Sequence, residues 1–210
     1  MAAIEGMDDP HRNGRPPEPR SDEALMLSFR DGDARAFEEL VSRHRRGLFN
    51  FLLRSVQNRS RAEELLQEVF LRVVRSKDRY ERTAKLTTWL YTIARNLCVD
   101  ESRRAKFRRT TSLDTPRKGA DDEGPAMVET VAADEVPTDE RAAAPQIRQR
   151  IARAIDLLPE DQREVFLMRQ INGLSFKEIG DIVGAPENTV KSRMRYALEK
   201  LRQDLADFNL

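Results

Sequence analysis

A chain of 210 residues suffices for one large domain or two small ones, each burying a modest core. One cysteine, Cys98, excludes an internal disulfide and a thiolate metal cluster, and no apolar run approaches the ~18 residues of a membrane span. The net charge of +1 hides an uneven distribution: residues 22–108 carry 19 basic and 13 acidic side chains, residues 109–145 carry 4 and 9, and residues 146–210 carry 11 and 10.

Basic segments joined by an acidic one suit two nucleic-acid-facing modules and a solvated linker, although ordinary surface charge gives the same numbers. Residues 1–21 are rich in Pro, Gly and charge, lack the apolar core of a signal peptide, and are expected to be disordered. From Ser21 or Asp22, Leu25, Phe29, Phe37, Leu40, Val41 and Leu48 recur at helical spacing, broken at Asp31-Gly32-Asp33. A second helix is expected over about 61–77. Its polar groups Glu63, Glu64, Gln67, Glu68 and Arg72 read, by spacing alone, as a solvated face.

A third helix is expected over about 86–104, where Leu86, Trp89, Leu90, Ile93 and Leu97 form one apolar stripe. It follows a polar loop and ends in Arg103, Arg104, Lys106, Arg108 and Arg109, a basic end suited to a phosphate backbone. Trp89 and Cys98 read as core residues. Residues 109–145 show little periodicity and are expected to form a flexible acidic linker. Helical pattern resumes at Gln146, with Ile147, Ile151, Ile155 and Leu158 before Pro159, then continues from Glu160 to Ile171 and turns at Asn172-Gly173.

The strongest local signal is LSFKEIGDIVGAPENTVKSRMRYALEKL. Ser175 and Glu178 have capping-box spacing, Gly180 stands where two helices must approach closely, and Gly184 suits a left-handed helix end. Pro186 opens a second helix whose Val190, Met194, Ala197 and Leu201 form a core stripe. Asn188, Lys191, Ser192 and Arg195 occupy another face. The pattern is a helix-turn-helix. Arg and Lys can donate to guanine and Asn can pair with adenine in the major groove, while Ser192 and Thr189 suit phosphates. Arg193 and Tyr196 complete the candidate set, and a plain helical hairpin with a polar face is the alternative.

Together these stretches resemble the extracytoplasmic-function, or group IV, sigma factors of bacterial RNA polymerase. LLQEVFLRVVR resembles the family's polymerase-docking helix, TTWLYTIARNLCVDESRR its −10-reading and melting segment, and the helix-turn-helix its −35 reader. The resemblance implies an all-α fold of two small helical domains, region 2 at 22–108 and region 4 at 146–210, joined by the linker. It implies polymerase docking by Glu64, Gln67, Glu68, Phe70 and Arg72. It further implies −10 contacts from Tyr80, Arg82, Thr83, Lys85, Thr88, Arg95, Asn96, Arg103 and Arg104. Asn188 and Tyr196 depart from the family's frequent Gly and Arg, which leaves the preferred −35 sequence open.

The implied partners are core RNA polymerase, through the clamp of β′ and the flap of β, promoter DNA, and an anti-sigma protein. No cofactor, metal or catalysis of its own is expected, in the cytoplasm. A stand-alone regulator would leave the N-terminal module without a role, and an enzyme would have only His11 and His44 for acid–base chemistry. A protein-binding adaptor leaves the helix-turn-helix unexplained.

Overall fold

The computed structural model describes residues 20–80, 85–111 and 140–206, with side chains placed outside 106–111 and 140–145. The calls on residues 1–19 and on the linker segment 112–139 lie outside them. Every element among the described residues is helical.

α1 (Asp22–Arg30) starts where the Ser21 hydroxyl accepts from the Ala24 N–H at 3.2 Å. Gly32, at φ 108°, makes the break, and Asp33 then caps α2 (Ala34–Val56) by accepting from the Arg35 and Ala36 N–H groups. Asn58 caps α3 (Arg59–Ser76), which runs into a 3-10 turn at Lys77–Arg79. α4 spans Leu86–Thr111 and so continues beyond the expected end near 104. The core of this first module is built from Leu25, Met26, Leu48, Phe51, Leu52, Val69, Val73 and Leu86, each at most 2% exposed. Each large side chain so buried contributes roughly 1.5–3 kcal/mol.

α5 (Glu140–Asp156) begins earlier than Gln146, because Glu140 to Ala144 are strong helix formers. α6 (Glu160–Phe166) continues into a π-helical turn, Leu167–Ile171, which places Leu167 and Met168 in the core. α7 (Phe176–Val183) and α8 (Glu187–Asp204) follow. The capping box is complete: the Ser175 hydroxyl accepts from the Glu178 N–H at 3.2 Å, and the Glu178 carboxylate accepts from the Ser175 N–H at 2.7 Å.

Gly184 takes the left-handed conformation at φ 68°, ψ 38°. A Cβ on Gly180 would stand 2.8 Å from the Ala185 carbonyl oxygen, so only glycine lets the turn between α7 and α8 close this tightly. Val190, Met194, Ala197 and Leu201 are buried as a stripe. The two modules also pack against each other, α4 on α7 and α2 on α6, and one buried cluster runs through both. That packing was not foreseen from the sequence.

Candidate nucleic-acid interface

The buried stripe of α8 forces its other residues outward. Asn188, Thr189, Lys191, Ser192, Arg195 and Tyr196 are all exposed, and Arg193 is half-buried. They are held by contacts among neighbours: Lys191 Nζ lies 2.7 Å from Glu187 Oε1, and Ser192 donates to the Asn188 carbonyl. Arg195 donates to the Tyr196 hydroxyl at 3.2 Å and lies 5.0 Å from that ring. Exposed pairs of this kind are worth little and exchange readily for a DNA partner. Arg193 instead pairs with Asp161 of α6 at 3.2 Å, which braces α8 against its own module.

On α3 the outer face carries Glu64 and Gln67 exposed, with Glu68 and Arg72 half-buried and paired at 2.9 Å. Phe70 turns inward, edge-on to Phe37 at 6.2 Å. Arg61 bonds to Glu64 on its own helix and, at 2.7 Å, to Glu101 of α4; these two hydrogen bonds hold its guanidinium further above its ordinary range. These contacts tie α3 to α4.

The expected −10 residues divide. Tyr80, packed on Trp89 with ring centroids 5.4 Å apart, and Thr88 are buried. Arg82 and Thr83 lie outside the described residues. Lys85, Asn96, Arg103 and Arg104 are exposed and Arg95 is half-buried. Arg95 and Lys85 are joined to carboxylates of the second module, Glu164 and Glu178. Sequence reading gave Glu164 no role and read Glu178 only as a cap, because nothing local signals a partner so far along the chain. Burial pushes the Glu164 carboxyl up despite Arg95. Burial also acts to raise Glu178, but hydrogen bonds from Ser175 and the nearby Lys85 outweigh it and hold that carboxyl low. Among the described residues no group of three or more potential ligands is placed to hold a metal ion, and no helix is long and apolar enough to cross a membrane.

The two modules match known families in the same order. Residues 40–108 match the sigma-70 region 2 model and residues 148–201 the sigma-70 region 4 model. The RNA polymerase sigma factor CarQ of Myxococcus xanthus is 35% identical over 88% of this chain and 98% of its own. The ECF sigma factor SigW of Bacillus subtilis is 33% identical, over 87% and 95%. The chain belongs to the ECF sigma factors. It is thus an alternative sigma factor, a specificity subunit that directs promoter-specific transcription initiation. Its fold is shared with CnrH, solved with the cytosolic domain of CnrY (TM-score 0.63, 21% identity, 90% of this chain and 99% of that one). RpoE of Bartonella quintana, solved with the anti-sigma factor NepR, shares it too (TM-score 0.62, 24% identity, 81% and 96%).

Proposed function

We propose that this sigma factor docks on core polymerase through Glu64, Gln67, Glu68 and Arg72, with Phe70 anchoring their helix from the inner side, and reads the −35 element with α8. Asn188, Lys191 and Arg195 contact base edges, while Thr189, Ser192, Arg193 and Tyr196 position the helix. The observation that carries the reading is the separation of faces on α8, a fully buried stripe opposite an exposed polar row that includes Lys191 and Arg195. Lys85, Arg95, Asn96, Arg103 and Arg104, with the loop that holds Arg82 and Thr83, capture the opening −10 strand. Base stacking can add about 1–3 kcal/mol per base there. Tyr80 and Thr88 support that surface from beneath.

The chain has no catalytic step of its own and works in the cytoplasm beside the nucleoid. Docking on the clamp of β′ and the flap of β brings both modules to one promoter, so the second contact becomes intramolecular. An anti-sigma partner is supported by the similar RpoE of Bartonella quintana, which was solved with the anti-sigma factor NepR.

Reconstitution with core polymerase and a library of promoter fragments tests this. Specific initiation is expected, and a folded protein that initiates from none defeats the reading. Lys191→Ala and Arg195→Ala should each cost −35-dependent initiation ~1–3 kcal/mol. Gln67→Ala with Glu68→Ala should lower polymerase association in a pull-down.

A further inference from the structure

The ion pairs Arg54–Asp156 and Arg95–Glu164 cross the seam between the modules. A bond of another kind lies wholly inside region 2. Glu23 Oε1 of α1 accepts from the backbone N–H of Leu86 at 3.0 Å, across 63 residues of chain. Leu86 is the first residue of α4, and the Trp89 N–H closes the first turn on the Lys85 carbonyl at 3.3 Å. Lys85 therefore stands at the capping position, where Ser, Thr, Asp or Asn would accept from the free N–H groups of the first turn. A lysine side chain has donors only, and the first turn of α4 contains no acidic residue. The helix is capped instead from α1, by a carboxylate that also complements the positive end of its dipole.

Glu23 is itself held by its neighbours. Asp22 accepts from Arg43 of α2 at 2.8 Å and lies 2.8 Å from His44 Nε2, while Leu25 and Met26 are fully buried. On the far side of residues 81–84, Tyr80 is buried against Trp89, three residues into α4. The start of α4 is thus fixed twice, by Glu23 at Leu86 and by Tyr80 at Trp89. Lys85 projects from this point into solvent. We propose that Glu23 is a positioning residue for capture of the −10 strand. It acts through the Leu86 amide, holding the first turn of α4, and with it Lys85, in the orientation that the opening strand meets. The role rests on the assignment of Lys85 and its neighbours on α4 to the −10 strand.

The full chain with core polymerase, on a promoter selected from the fragment library, provides the test. Glu23→Ala removes the acceptor, so hydrogen exchange at the Leu86 amide should speed up by about fivefold, a factor typical of losing one helix cap. Promoter opening, followed by permanganate reactivity of unpaired thymines, should fall by about the same factor. Helicity by circular dichroism and pull-down by core polymerase should match wild type, because the outer face of α3 is untouched. Glu23→Gln keeps an acceptor of the same reach and should restore most of the opening.

Unchanged exchange at Leu86 overturns the cap. Unchanged opening overturns the positioning role, whether or not exchange has quickened. A loss of polymerase association as large as the loss of opening also overturns it, since the bond would then be a general tie between α1 and α4. If Glu23→Gln opens as poorly as Glu23→Ala, the hydrogen bond is not the agent. Lys85→Ala with Arg95→Ala tests the −10 assignment separately. Should that variant open the promoter like wild type, the assignment falls and the positioning role with it. Should it open poorly while Glu23→Ala opens normally, the assignment stands and the positioning role alone fails.

Discussion

Gly180 and Gly47 are both helical glycines pressed against a neighbour, yet they meet different obstacles. A Cβ on Gly180 meets backbone, the Ala185 carbonyl oxygen, whereas a Cβ on Gly47 meets the tips of the Asn172 and Tyr91 side chains. Side-chain tips can turn away, but a carbonyl in a tight turn moves only with its chain. Gly180→Ala should therefore destabilise the protein by about 1–3 kcal/mol, read from denaturant midpoints at unchanged slope. A variant as stable as wild type would show that the turn between α7 and α8 has room to relax.

At the scale of elements, the helix-turn-helix depends on how α7 begins. Its capping box satisfies two backbone donors, and Ser175→Ala should cost about 0.5–2 kcal/mol. The same bonds give a pH signature. The folded Glu178 carboxyl lies below its unfolded value, so its contribution is complete above ~4.3, the value for an unfolded Glu, and fades as pH falls through the depressed folded value. Glu178→Gln should flatten that acid limb in a stability-against-pH series. An unchanged limb would assign acid sensitivity to other carboxylates. α7 was legible in the sequence because all its signals lie within ten residues. α5 was less so: its start at Glu140 lies in a stretch that its acid and proline content marked as linker.

Seen whole, the molecule is one packed body among its described residues. A buried cluster continues from Leu25 to Leu201, and half-buried ion pairs cross the seam. Cooperative units follow continuous cores. Calorimetry of the free protein should therefore record one unfolding transition, and Asp156→Arg, which sets two arginines face to face, should split it in two. Two transitions in the wild type would mean that the seam contributes too little to couple the modules.

The division between sequence and structure follows the range of the interactions. Helical periodicity, the caps at Ser21 and Ser175, the glycine turn and the opposed faces of α8 are local, so the sequence alone determined an all-α chain with a helix-turn-helix. The order of its motifs pointed to the family. Tertiary structure alone decided what Lys85 and Arg95 touch, that Tyr80 and Thr88 are buried, and that the modules lie together. Arg54 and Asp156 are 102 residues apart and Arg95 and Glu164 are 69 apart. No periodicity links such positions, since only the packing of α2 and α4 against region 4 brings them within hydrogen-bond distance. The small net charge thus has a second meaning: some of the basic residues expected to meet DNA are matched, in this fold, by acids of the same chain.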